Sequence, residues 1–246
     1  MKLVLLGTGG YYPSQRRHTA CLMLPEIGIV LDAGSGMFRV RDYLGTDHLD
    51  IFLSHVHLDH VVGLTYLLDL VPADVLSHCT VYAEAEKLAA VREHLFAESL
   101  FPVVPPFRLE PLGDKHSLPN EGTLTHFPLK HPGGARGYRL DWPDRSMAYV
   151  TDTTATADAD YVEKLRGVDL LVHEAYFADD HGDLPAITGH SCLADVAKVA
   201  AAAEVGVLLL VHIHPQLERD DDLELSTSRQ IFKNIEIGVD QMEVEF

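Results

Sequence analysis

The sequence predicts an α/β chain in which two β-sheets are covered by helices, and three observations carry that expectation. Short apolar runs bounded by Gly, Pro, Asp and His recur along the chain, a pattern of strands rather than of long helices. One or two amphipathic segments follow each block of strands, which calls for helices laid against sheets. With 246 residues, 47% apolar and 23% charged, the chain can bury the core of one large domain.

Taken in order, residues 2–6 form a buried strand that stops at the turn Gly7-Thr8-Gly9-Gly10. Residues 18–24 and 27–31 read as a hairpin across Pro25-Glu26. Residues 51–53 are a further buried strand, followed by a helical stretch over residues 61–70 that Pro72 ends. Residues 80–83 are a strand and 84–95 an amphipathic helix with Leu88, Val91 and Leu95 on one face. Strands follow at 107–112, 123–129, 137–142 and 147–151, then a helix over 158–165. Residues 170–172 are apolar, Ser191 caps a helix that runs through 196–203, and 207–211 is a buried strand. No low-complexity linker or short-period repeat interrupts the chain, so a single domain over 1–246 is expected.

Acidic side chains number 37 against 19 basic ones, a net charge of −18. Such a surface repels phosphate backbones and disfavours broad nucleic-acid binding. Cys21, Cys79 and Cys192 lie far apart without C-x-x-C spacing, and an odd number cannot close a full disulfide set, so a reducing compartment is expected. Only four apolar residues in a row precede Gly7, too few for a secretory apolar region. The most apolar stretch, 193–213, is interrupted by Asp195, Lys198 and Glu204. The expectation is a soluble cytoplasmic protein with no membrane span.

Fifteen histidines stand out, and several follow an apolar run directly. His55 follows residues 51–53, His131 follows 124–129, Asp152 follows Tyr149-Val150, His173 and Glu174 follow 170–172, and His212 follows 208–211. Strand ends in layered α/β proteins are where a rigid sheet aims loop residues at one place. The densest run is SHVHLDH, residues 54–60. In an extended piece His55 and His57 point to one side and can share a cation. Asp59 and His60, at the start of the following helix, can face a second. Asp152 offers a carboxylate able to bridge two metals, and His131 and His212 complete the two sets. Imidazole and carboxylate donors without thiolate suit zinc, manganese or iron. A metal site is expected because so many polar groups behind a buried strand need something to pair with.

This H-x-H-x-D-H run, followed by a strand-end His, a strand-end Asp and a final strand-end His, resembles the metallo-β-lactamase superfamily. The resemblance extends from LGTGG at Gly7 through LDAGSG at Asp32 to LVHIH at His212. It is most similar to the ribonuclease Z and related phosphodiesterase branch, through HPGGARGYRL from His131, YVTDT around Asp152, VHEAYF around Glu174 and TGHS around His190. The resemblance implies a four-layer αββα sandwich with two divalent metals. The first would be held by His55, His57 and His131, the second by Asp59, His60 and His212, with Asp152 as bridge. A metal-bridging hydroxide would attack phosphorus in line with the leaving oxygen. Asp59 would orient or deprotonate it, and His190, positioned by Glu174, would protonate the leaving alkoxide. Asp32 is expected to buttress a metal-binding histidine rather than to ligate.

Several residues carry two readings. Glu174 either positions His190 or partners His173. His126 and His214 rival His131 and His212, though the neighbouring motif pieces favour the latter pair. Arg16, Arg17 and His18 either contact a substrate phosphate or form a solvated charge run. Residues 7–10 lack a G-x-G-x-x-G pattern with a following helix and read as a tight turn. His48, His78, His94, His116 and His181 are given no role.

Ribonuclease Z carries a long tRNA-gripping arm between the third His and the bridging Asp. Here twenty residues separate His131 from Asp152, enough for one hairpin. Together with the charge of −18, this favours a small phosphodiester, such as a cyclic nucleotide or cyclic sugar phosphate, as substrate. A tRNA 3′-processing endonuclease is the runner-up, followed by a thioester or lactone hydrolase. A di-iron oxidoreductase would need an attached flavin domain, and a non-catalytic metal-bound module would be expected to have lost ligands, whereas all seven positions are filled. The ribonuclease Z branch also suggests a homodimer.

Overall fold

The structure, a computed structural model, describes residues 1–70, 76–178, 182–217 and 223–246. Pro72 and His181 lie outside the described residues. The chain divides into two compact units, residues 1–113 with 239–245, and residues 114–238 with 246. In the first, strands β1 (Lys2–Gly7), β2 (Cys21–Leu24), β3 (Ile29–Leu31), β4 (His48–Phe52), β5 (His78–Ala83) and β6 (Arg108–Pro111) are joined by helices α1 (Val40–Tyr43), α2 (Leu58–Val61), α3 (Leu67–Leu70) and α4 (Ala85–Ala90). Residues 114–238 give β7 (Lys115–Leu118), β8 (Gly122–Leu129), β9 (Ala135–Trp142), β10 (Arg145–Val150), β11 (Leu170–Glu174), β12 (Val207–Val211) and β13 (Ile235–Ile237). Their helices are α5 (Val162–Leu165), α6 (Leu184–Thr188), α7 (Leu193–Ala202) and α8 (Leu225–Ile231). The last strand, β14 (Glu243–Glu245), belongs to the first unit.

Each unit is built on one seven-stranded mixed sheet. The first runs β14-β1-β2-β3-β4-β5-β6, antiparallel from β14 to β3 and parallel from β3 to β6. The second runs β13-β12-β11-β10-β9-β8-β7, with β10 to β13 parallel and the rest antiparallel. Among the parallel strands, β3, β11 and β12 are nearly continuous apolar runs, as befits strands buried on both faces. In the first unit Val4, Val30, Ile51 and Val81 pack with Met37, Val61, Leu64 and Leu88. In the second, Val150, Leu171 and Leu210 pack with Leu165, Leu193, Val196 and Ala200. The spacing of the last three is the helical stripe that brings one face of α7 to the core.

The departures from the expected elements are local. The helix expected over 61–70 starts at Leu58, turns as a 3-10 helix over Val62–Tyr66 and resumes as α3. Gly63 sits so close that a Cβ there would lie 2.3 Å from both the Gly34 carbonyl oxygen and the Met37 Cβ, which requires glycine at that crossing. The helix over 84–95 is α4 continued by a π turn at Val91–Leu95, and that over 158–165 shrinks to α5. Ser191 does not cap α7, whose N-cap is Cys192 without a side-chain bond. The Ser191 hydroxyl instead donates to the Thr153 carbonyl at 2.6 Å and accepts from the Ala155 amide at 3.0 Å.

Residues 239–245 complete the first unit. β14 pairs antiparallel with β1. Just before it, Asp240 accepts bonds from the Thr8 amide (2.9 Å), the Thr8 hydroxyl (2.7 Å) and the His18 amide (2.7 Å), and pairs with Arg39 at 2.6 Å. Arg17 is buried and donates to the Thr8 hydroxyl at 2.6 Å, so it is not part of a solvated charge run. Among the described residues no helix is long and apolar enough to cross a membrane.

Candidate metal centre

In the first unit the parallel strands β3 and β4 end side by side, and the polar residues sit directly after them. Asp32 follows β3 in the left-handed region (φ 59) and is fully buried. Its carboxylate accepts from the Ser54 amide (2.7 Å), the Ser54 hydroxyl (2.8 Å) and His60 Nδ1 (2.9 Å). Ser54 Oγ, having given its proton to Asp32, accepts from His55 Nδ1 at 3.0 Å. One carboxylate thus fixes the tautomer of two imidazoles, with the proton on Nδ1 and the lone pair on Nε2 of each. The buttress role expected of Asp32 matches this geometry. His57 is extended (φ −64, ψ 152) at the N-cap of α2, which places Asp59 and His60 in the first helical turn. The rings of His55 and His57 lie 4.5 Å apart, those of His55 and His60 4.2 Å, and Asp59 Oδ2 stands 3.4 Å from His60 Nε2. Asp59 Oδ2 also accepts from the Tyr11 amide at 2.9 Å, a partner that nothing in the sequence pointed to.

In the second unit β10, β11 and β12 are parallel neighbours in register, with Val150 opposite His173 and Glu174 opposite Val211. Their ends therefore deliver Asp152, Glu174 and His212 to one edge of the sheet. Each oxygen of the buried Asp152 faces a different imidazole: Oδ1 lies 3.2 Å from His212 Nε2 and Oδ2 lies 3.6 Å from His131 Nε2. His131 Nδ1 donates to the Gly189 carbonyl at 2.9 Å, which again puts the lone pair on Nε2. His190 Nδ1 meets Glu174 Oε1 at 3.3 Å, and its ring is stacked on Tyr176 at 4.4 Å. Glu174 is fully buried and held by the Thr153 amide (2.8 Å) and the Tyr176 amide (3.2 Å). His173 bonds the backbone carbonyl of Glu174, not its carboxylate, and the Tyr161 hydroxyl. Of the rival histidines, His126 lies within β8, while His214 packs edge-on against Tyr176 and accepts from the Gln216 amide.

The donor set fits a divalent cation. Asp152, His190 and His212 each offer a ligand atom, all within 4.8 Å of one another. The separations of Asp152 from His131 and His212 bracket the roughly 3.3–3.4 Å between two donors bound about 2.0–2.1 Å from a tetrahedral ion. Asp32, Asp152 (φ 43) and His212 (φ 54) all adopt left-handed backbone. Each such residue costs roughly 1 kcal/mol or more, and strain of this kind gathers where function holds it in place.

Gly189 joins the two histidine roles, since its carbonyl holds His131 and its successor is His190. At φ 75 a Cβ there would lie 2.4 Å from Pro132 Cδ and 2.8 Å from His131 Nδ1. Gly189→Ala should therefore displace His131 and weaken metal binding by about 10- to 100-fold, the usual effect of losing an outer partner of a metal ligand. Competition with a chromophoric chelator reads this; unchanged affinity would show that His131 does not depend on Gly189.

Burial pushes the pKa of His173 below its ordinary 6.5. The folded state then resists a proton that the unfolded chain accepts. The stability linked to this residue is whole above that value and is lost as the pH falls below it. Between about pH 7.5 and about 5.5, His173→Gln should lose less Tm than the wild type, and an equal loss would place the acid sensitivity elsewhere.

A family model described as a beta-lactamase superfamily domain matches residues 28–213. A ribonuclease Z from Archaeoglobus fulgidus is 27% identical over 302 aligned positions, covering 99% of this chain and 97% of that protein. The metallo-beta-lactamase fold protein YhfI from Bacillus subtilis superposes with a TM-score of 0.84 at 18% identity, over 100% of this chain and 99% of its own. A diphosphatase of the PhnP family superposes with a TM-score of 0.77 at 22% identity, over 100% and 96%. These superpositions give the α/β fold class that the sequence led us to expect. With its family match spanning most of the sequence and both sets of His and Asp residues, the chain belongs to the metallo-β-lactamase superfamily of hydrolases.

Proposed function

We propose that this chain is a binuclear metal-dependent phosphodiesterase acting on a small phosphodiester, and that residues 1–246 form one metallohydrolase domain. The observation that carries the choice of substrate is the segment between His131 and Asp152. It is a tight hairpin in which Trp142 pairs with Arg145 across a two-residue turn, where the ribonuclease Z pattern places its tRNA-gripping arm.

The ligand assignment follows the superfamily pattern: His55, His57 and His131 for one cation, Asp59, His60 and His212 for the other, Asp152 shared. Two divalent ions, zinc, manganese or iron, would supply an activated water and neutralise charge on the phosphoryl oxygens. Asp59 holds or accepts the proton of the attacking water. His190, oriented by Glu174 through Nδ1, delivers a proton to the leaving oxygen.

A second reading, tRNA 3′-end processing in the cytoplasm, is favoured by the 27% identity to a ribonuclease Z over nearly the whole chain. Metal content and hydrolysis of bis-p-nitrophenyl phosphate, with and without chelator, test the first reading. Two equivalents of metal and chelator-sensitive turnover are expected. Specific cleavage of a precursor tRNA at its 3′ end would establish the second. Bound metal with turnover of neither phosphodiester would move the assignment to thioesters or lactones.

A further inference from the structure

We infer that Tyr11 is a stacking platform for a nucleobase, which makes the substrate of the proposed phosphodiesterase a single nucleotide unit; the inference rests on that reading of the site. Aromatic residues are ordinarily spent on the core or on an interface, yet Tyr11 is 71% exposed and Tyr12 43%. The two rings meet edge to face, 5.3 Å apart at 65°, so each restrains the other. Tyr11 also has φ 64, in a region that bulky residues avoid.

The loop that imposes this conformation is tied down at several points. Gly9 donates to the His18 carbonyl, Tyr12 to the Gly10 carbonyl and Ser14 to the Arg17 carbonyl, each at 2.8 Å. The Tyr11 amide itself donates to Asp59 Oδ2 at 2.9 Å. The exposed ring is therefore carried by the same residue whose backbone grips the carboxylate assigned to the reaction. A phosphodiester bound beside Asp59 would have its next group close to Tyr11, whose amide lies 2.9 Å from that carboxylate.

The chemistry of the ring selects the group. A neutral, fixed π-face attracts another planar face and offers nothing to a phosphate, and stacking of bases on tyrosine is indifferent to base identity. A chain with a net charge of −18 is a poor host for many phosphates. One phosphate carrying one base meets both conditions, whereas a bare sugar phosphate meets the charge condition but gives the ring no planar face to stack on.

Calorimetric titration of the metal-loaded protein with adenosine monophosphate and with ribose 5-phosphate tests this without turnover. The nucleotide should bind about tenfold more tightly, as expected for one base stacked on one ring. Tyr11→Ala should erase the difference, and Tyr11→Phe should keep it. Equal binding of both ligands by the wild type, binding of neither, or a preference that survives in Tyr11→Ala would overturn the assignment. If the preference depends on Tyr11 but bis-p-nitrophenyl phosphate is not hydrolysed, the platform stands and the phosphodiesterase reading falls.

Discussion

Asp152→Ala protein, purified under metal-replete conditions, should carry at least one equivalent of metal fewer than the wild type. Its turnover should fall beyond the roughly 10- to 100-fold that loss of an outer hydrogen-bond partner costs. The reason is the division of labour within one carboxylate, since Oδ1 faces His212 and Oδ2 faces His131. In the proposed bridge, removing it would take the shared carboxylate from both imidazoles at once. Asp152 also sits at φ 43, which alanine tolerates less well than asparagine. Asp152→Asn therefore separates the two effects, keeping the backbone and the melting temperature while losing metal. Atomic emission on the desalted proteins gives the count. An asparagine variant with full metal and full activity would remove Asp152 from the bridge.

His190→Ala should leave metal content unchanged and slow alkyl phosphodiesters by about 10²- to 10⁴-fold, while p-nitrophenyl esters lose far less. A nitrophenolate leaves without help, whereas an alkoxide needs the proton. Glu174 engages Nδ1 of His190, so in the proposed role Nε2 is the nitrogen that would serve the leaving group. Tyr176, stacked at 4.4 Å, keeps the imidazole from turning away. Paired kinetics on the two ester types decide the matter, and an equal loss on both would refute the acid role. His190 also lies within ligand range of Asp152 and His212. A fall in metal content in this variant would make it a ligand instead.

What could be read from the sequence follows a physical rule. His55, Asp152, Glu174 and His212 could be singled out because each stands at or just past the end of an apolar run, and in the second sheet parallel strands in register bring Asp152, Glu174 and His212 to one edge. Asp32 follows an apolar strand in the same way, and a buttress is the reading for it because the two expected ligand sets are complete without it. Gly189 and Tyr11 could not be singled out, because they act through a backbone carbonyl and a backbone amide that every residue type provides. Ser191 was misread because a serine just ahead of a helical stripe resembles a cap, and only the fold reveals that Thr153 and Ala155 take up its hydroxyl. The short elements β7, β13, β14, α1, α6 and α8 carry three to seven residues each, too few for a periodicity to show.

The clasp of Asp240 and β14 onto β1 has a consequence for how the chain is made. Everything else in the first unit is synthesised by residue 113, but its closing strand arrives only after residues 114–238. At about 5–20 residues per second, that interval lasts roughly 6–25 s. Throughout it, one side of β1 presents unbonded amides and carbonyls, and Thr8, His18 and Arg39 wait for their common carboxylate. The second unit can finish folding while the first still has an open edge. The older half of the nascent chain is therefore the last to close, and it is the half a holdase or a mispaired strand would capture.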